Sequence, residues 1–180
     1  MATPKLVGIS GSLRRTSHNT MLLAEAARLF GDAEYHQLDI DFPLYNGDVE
    51  DATGIPAVVK AAERKLAQAD AVLISTTEYN SGPSGVLKNA LDWISRVEGN
   101  PWNDKPVVVM SAAAGRAGGE RAQVVLRGFL TAFRPRLLTG PQIHVAACHE
   151  EFDENERLKG EIYVRELGQL MDLLRKDIAR

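Results

Sequence analysis

With Cys148 as its lone cysteine, the 180-residue chain has no internal disulfide, so core packing must hold the fold and a reducing compartment is the simplest setting. Long apolar runs are also missing. None nears the roughly 20 residues of a bilayer span, and Met1-Ala-Thr-Pro leads into a strand without a basic start or long apolar stretch, so no membrane partner and a cytoplasmic location are expected. Charge of one sign is scarce: 21 Lys and Arg against 24 Asp and Glu leave −3, which offers no basic field for a nucleic-acid backbone. The first strand is followed by neither the GxGxxG of a dinucleotide turn nor the GxxxxGK[ST] of a P-loop. A small-molecule partner is what these absences leave. The 44% hydrophobic and 25% charged residues present are those of a globular protein, and the length suits one domain spanning 1–180.

The chain is organised around Gly8 to Thr20, GISGSLRRTSHNT, which passes from strand to polar loop to helix. Lys5 to Ile9 reads as a buried parallel strand, and Met21-Leu22-Leu23-Ala24 opens an apolar helical pattern. Between them stand the hydroxyls of Ser10, Ser12, Thr16, Ser17 and Thr20, the guanidinium groups of Arg14 and Arg15, and the Asn19 amide. Helix-start N–H groups lack internal partners and carry partial positive charge, so this mixture suits an enclosed terminal phosphate. An ordinary helix capped by Ser17 explains the same residues equally well.

Further along, the pattern predicts a helix from about Asn19 to Phe30, a strand at Tyr35 to Leu38, and a polar loop without regular structure from Asp39 to Gly54. A helix follows from Pro56 to about Ala69, then a buried strand at Ala71 to Ser75. The polar loop Thr76 to Gly85 precedes a helix at Val86 to Val97, on which Lys88, Asp92 and Arg96 are spaced to pair along one side. Pro106 to Met110 is a fourth strand, Ser111 to Gly119 a small Gly-containing loop, and Glu120 to Phe133 a helix. One fifth strand is expected between Arg136 and Ala146, and Asp153 with Glu156 predicts a capping box for the last helix. Alternation of strand and helix predicts a flavodoxin-like, doubly wound α/β fold: five parallel strands in the order 2-1-3-4-5, with helices on both faces. Its switch point falls between strands one and three, where the first two loops meet. Tyr79 offers a stacking surface and Asn80 an amide for a flat heteroaromatic ring, although a plain turn accounts for Asn-Ser-Gly-Pro as well.

His144, Cys148, His149, Glu150 and Glu151 are metal-binding residue types, but no second ligand pair at finger-like spacing accompanies them, and a connecting loop explains them better. No GxSxG elbow surrounds Ser10 or Ser17, which disfavours hydrolysis. Trp93 and Trp102 are expected in the core or at a subunit contact.

Three segments in order, GSLRRTSHNT, TEYNSGPSGVLKNALDWISR and a Gly-rich loop ending GRAGG, resemble the NADPH-dependent FMN reductase family, which includes quinone and chromate reductases. The resemblance implies that Ser10, Ser12, Arg14, Ser17, Asn19 and Thr20 hold an FMN phosphate. It implies ring contacts from Glu78, Tyr79 and Asn80, with Ser111, Gly115 and their neighbours on the third side. Two departures weaken particular contacts: Thr77 stands where the family usually has Pro, and Ala112 and Ala113 stand where hydroxyl residues are common. Arg116 is open to an anionic acceptor, to the NADPH phosphate, or to solvent alone.

The reading that follows is an FMN-dependent oxidoreductase that takes hydride from NADPH or NADH and reduces a quinone, chromate, azo compound or free flavin by a ping-pong route. No side chain is assigned a catalytic role, because the flavin carries the chemistry. A homodimer or homotetramer is implied by the resemblance and by the helix bearing Trp93. The alternative is a flavodoxin-like electron shuttle or a flavin-binding sensor. A shuttle docking on basic partners would be expected to be strongly acidic, and −3 is mild.

Overall fold

The computed structural model describes residues 2–180. Three strands form its centre: β1 (Lys5–Ser10), β3 (Ala71–Thr76) and β4 (Pro106–Ala112). All are parallel, with β2 (Glu34–Leu38) outside β1 and β5 (Arg136–Leu137) outside β4, giving the order β2-β1-β3-β4-β5. Because side chains alternate across a strand, the central strands feed two cores. Val7, Ile9, Val72, Ile74, Val107 and Val109 pack against α3 (Ala57–Gln68), α4 (Gly85–Ile94) and α5 (Glu120–Leu130). Leu6, Leu73, Val108 and Met110 face α1 (His18–Phe30) and α6 (Glu161–Ile178). Both faces are therefore covered, which is why these strands read as unbroken apolar runs.

Four expectations need correction. The segment 39–54 contains a helix, α2 (Gly47–Thr53), whose start is capped by Asn46, its side chain accepting from the Asp48 N–H at 3.0 Å. Asp48 and Glu50 in its first turn favour the helix dipole, a signal that the nearby Pro43 and Gly47 obscured. Arg96 lies beyond the end of α4 and pairs with Glu50 of α2 at 3.0 Å, whereas Lys88 and Asp92 do pair, at 2.7 Å. The fifth strand is split: β5 pairs with the start of β4, and β6 (Ile143–Val145) pairs with its end, Met110 opposite Ile143. Thr139-Gly140-Pro141 lies in the gap, where proline has no N–H to give a ladder.

The last helix starts at Glu161 after Gly160, not at Asp153. The Asp153 carboxylate instead accepts from the N–H groups of Asn155 and Arg157, each at 2.8 Å, and Glu156 takes a left-handed φ of 61°. The Asp-x-x-Glu pattern thus closes a tight loop, bridged by Phe152 and Leu158. No helix among the described residues is long and apolar enough to cross a membrane.

Candidate functional site

Parallel strands put their C-terminal ends on one edge, so the segments after β1, β3 and β4 converge there. The first runs from Gly11 into α1. Its start is fixed by two bonds to its neighbours: the Gly11 N–H donates to the Ser75 carbonyl at 2.7 Å, and the Ser84 hydroxyl donates to the Gly11 carbonyl at 2.6 Å. Ser17 caps α1, its hydroxyl oxygen accepting from the N–H groups of Asn19 and Thr20 at 3.2 and 3.4 Å. That leaves its O–H free to donate to a ligand. The Thr20 hydroxyl donates to Ser10 Oγ at 3.0 Å, and Ser12 Oγ accepts from the Arg14 N–H at 3.3 Å. Among the described residues, no acceptor takes the backbone N–H of Ser12, Leu13, Arg15 or Thr16.

Beside this row lies a cavity of about 320 Å³ lined by Ser10, Ser12, Arg14, Arg15 and Thr20, with Gln37 to Ile40 on its far wall. The unpaired N–H groups of Ser12, Leu13 and Arg15, the hydroxyls and two guanidinium groups line this hollow, and although the Asp39 carboxylate lines it too, the donors and cations outnumber it and fit a phosphate dianion. A second cavity, about 440 Å³, adjoins it through Ser12 and Arg14 and is walled by Gly11, Leu13, Tyr79, Ser84, Gly85 and Val86. It is largely apolar and open, which suits a flat ring attached to that phosphate. A larger hollow of about 570 Å³ between α4 and α5, lined by Leu91, Trp102 and Phe129 among others, lies on the flank of the sheet rather than at this edge. The edge is preferred because its hollow is lined by donors and lies where the loops after the parallel strands meet.

Asn19 is placed differently from the expectation that it faces a phosphate. Its side chain is buried and reaches across the sheet edge: Nδ2 donates to the Ala112 carbonyl at 3.0 Å, while Oδ1 accepts from the Ala112 N–H at 3.0 Å and from the Ser75 hydroxyl at 2.8 Å. The carboxamide therefore ties α1 to the ends of β3 and β4. Ser111 is likewise engaged within the protein, donating to the Gly118 carbonyl at 2.6 Å and accepting from Gln123 Nε2 at 2.8 Å. Gly115 is exposed, with open space where a Cβ would stand. Gly118 and Gly119 are the demanding glycines of this loop. Both have left-handed φ values, 59° and 91°, and a Cβ on Gly119 would stand 2.7 Å from Ser111 Cβ.

In the second loop, Tyr79 and Gly82 exchange two backbone hydrogen bonds of 3.0 Å around Asn80 and Ser81, whose φ values are 51° and 64°. That is a tight hairpin turn of the primed type. Tyr79 is 58% exposed on its rim, and Asn80 is exposed at its tip. Glu78 points elsewhere: Oε2 accepts from the Ala122 N–H of α5 at 3.1 Å. Ser75, Ser84 and Gln123 escaped the sequence reading, although Ser84 directly before the apolar run of α4 is an N-cap signal.

Arg14 also contributes to the electrostatics around α1. Burial first, then the nearby His149 and Arg14, hold the His18 imidazole below its ordinary pKa, and its ring lies 5.5 Å from that of Phe152. Cys148 is buried, and that burial pushes its thiol pKa up, away from thiolate chemistry. Among the described residues there is no group of three or more His, Cys, Asp or Glu side chains able to hold a metal ion. Trp93 and Trp102 are both in the core, Trp93 donating to the Pro43 carbonyl at 2.7 Å.

Comparison with known proteins identifies the family. An NAD(P)H-dependent FMN reductase of Pseudomonas aeruginosa is 42% identical over 156 residues, covering 86% of this chain and 84% of that one. A quinone reductase of Escherichia coli is 37% identical, covering 83% and 81%. Among solved structures, a flavoenzyme NAD(P)H:(acceptor) oxidoreductase of Paracoccus denitrificans superimposes with a TM-score of 0.87 at 29% identity over 98% of both chains. The family described as NADPH-dependent FMN reductase matches residues 4–150, and the chain belongs to that family.

Proposed function

We propose that this chain, as one flavodoxin-like domain, grips the FMN phosphate in the first loop and lays the ring in the adjoining cavity, with one side open to substrates. The observation that carries the reading is that Ser12, Leu13 and Arg15, whose N–H groups are unpaired, line a hollow that shares Ser12, Leu13 and Arg14 with an apolar ring-sized cavity. Ser10, Ser12, Arg14, Ser17 and Thr20 hold the phosphate together with those N–H groups. Asn19 supports them from behind through its bonds to Ser75 and Ala112. Tyr79 and Asn80 edge the ring, and Ser111 and Gly115 shape the third side, Ser111 by anchoring its loop and Gly115 by leaving space.

When bound, FMN accepts hydride from NADPH or NADH and passes two electrons to an acceptor. The side chains orient and enclose; none needs to act as acid or base. Donor and acceptor would use the same open side in turn, so double-reciprocal plots should be parallel. A quinone-type acceptor is favoured by the relatives' names, with chromate, azo compounds and free flavin as further candidates. A cytoplasmic setting fits such chemistry.

A homodimer or homotetramer would deepen a site that one chain leaves open at Leu13 and Tyr79, 52% and 58% exposed. The tryptophans do not support that assembly, since both are buried within their own chain. Light scattering should give a mass at least twice 19.7 kDa. A titration with FMN and riboflavin tests the site itself: FMN should bind at least a hundredfold tighter, because two hydrogen bonds to a charged group at about 1.5 kcal/mol each already give that ratio. Equal affinities would refute a phosphate grip.

A further inference from the structure

We infer that Glu78 and Arg121 form a clasp between the second loop and α5, and that Glu78 is a positioning residue acting through α5 rather than a contact to the ring. The inference rests on the flavin reading above for its functional consequence but not for its geometry. Helix α5 begins after Gly119, which has no side chain with which to cap it, and its N-cap φ is 91°. The Ala122 N–H, two residues after the helix's first, would otherwise be unpaired. Glu78 Oε2, 44 residues upstream, accepts it at 3.1 Å. A carboxylate there also lies at the favourable end of the helix dipole.

The second half of the clasp runs the other way. Arg121 Nη1 donates to Ser81 Oγ at 3.4 Å. A cation in the first turn opposes the dipole, and among the described residues Arg121 forms no ion pair within 4.0 Å that would offset this. Its contact with the hairpin gives that placement a role. Together the two bonds hold both ends of the turn, Glu78 at its base and Ser81 at its tip, against the start of α5.

The hairpin needs such a hold. Tyr79, Asn80 and Ser81 are all exposed in the single chain, so no burial within it fixes them, and two successive left-handed residues are easily lost to other conformations. An ordered hairpin before binding removes an ordering cost from ring binding. The phosphate grip belongs to the first loop, whose residues share no hydrogen bond with Glu78, Ser81 or Arg121 among the described residues, and should not feel the clasp.

Hydrogen exchange on the flavin-free protein, with Glu78→Ala, Glu78→Gln and Arg121→Ala, tests this directly. In Glu78→Ala, exchange should rise at Ala122 and across 79–82. Glu78→Gln keeps an oxygen acceptor and should stay near the wild type. Arg121→Ala should loosen the hairpin without exposing Ala122. Affinity for riboflavin and for FMN should fall by the same factor in Glu78→Ala, about tenfold, the equivalent of one hydrogen bond, while competition by inorganic phosphate is unchanged. Unchanged exchange in Glu78→Ala would overturn the clasp, whereas faster exchange with undiminished affinity would overturn the positioning role. Wild-type protein that binds no flavin would count against the flavin reading instead, and the exchange data would still decide the clasp.

Discussion

Replacing Asn19 by Ala separates a scaffold role from a ligand role at the residue where the two compete most sharply. The substitution removes three bonds of 2.8 to 3.0 Å and leaves the Ala112 C=O, at a buried residue, without its partner, while the Ala112 N–H still faces β3 in the ladder where Thr76 stands opposite Ser111. The Ser75 hydroxyl can turn to another acceptor, so one backbone group dominates the loss. At about 1–3 kcal/mol for a buried group left unsatisfied, the expected cost is about 2 kcal/mol, against the 5–15 kcal/mol typical of a domain. With a urea slope of about 2 kcal/mol per molar, the unfolding midpoint of the flavin-free protein should fall by about 1 M. Asn19→Asp should also be destabilised, because it keeps the acceptor but sets a carboxylate oxygen against the Ala112 carbonyl, and Ser75→Ala should cost only about 1 kcal/mol. A midpoint within about 0.5 M of the wild type, together with a large loss of FMN affinity, would show that the carboxamide works mainly on the ligand and refute the reasoning.

Four further perturbations probe the rest of the fold. Tyr35→Phe should raise stability by about 1 kcal/mol, read as a higher melting temperature, because the Tyr35 hydroxyl is buried without a partner and burial alone pushes its pKa up. Gly8→Ala should be strongly destabilising in the same assay, since a Cβ there would lie 2.8 Å from Tyr35 Cε2. Cys148→Ala should retain NADPH turnover, and the native thiol should resist alkylation that the unfolded chain undergoes readily. Burial holds His18 and His144 below 6.5, so between the folded values and about 6.5 the unfolded chain binds more protons. Their contribution to stability is therefore complete above about pH 6.5 and is lost as pH falls through the folded-state values. Urea midpoints measured across that range should show the decline, with a shallower slope in His18→Gln.

The central strands were legible because burial on both faces leaves an unmistakable run, as in Ala71-Val-Leu-Ile-Ser, and the strand order followed from their alternation with helices. The first loop was legible because Ser, Arg and Asn cluster at a strand-to-helix change. What stayed hidden depended on partners distant in sequence. Asn19 looked like a free donor until Ser75 and Ala112 came within 3.0 Å of it, and Glu78 looked like a ring contact until α5 arrived beside it without a cap of its own. Asp153 and Glu156 had the spacing of a helix start, yet the same residue types close turns equally well, and here the turn won. Arg96 was one turn too far along for its own helix and found a carboxylate on a helix that proline and glycine had masked.

The central claim is that the sheet edge carries FMN in a form reducible by a nicotinamide nucleotide, and anaerobic mixing of the FMN-loaded protein with NADPH tests it most directly. The account predicts prompt loss of the yellow flavin absorbance, and its return when a quinone is added after the donor is consumed. A flavin spectrum left unchanged by both NADPH and NADH would contradict it and favour a shuttle or a sensor.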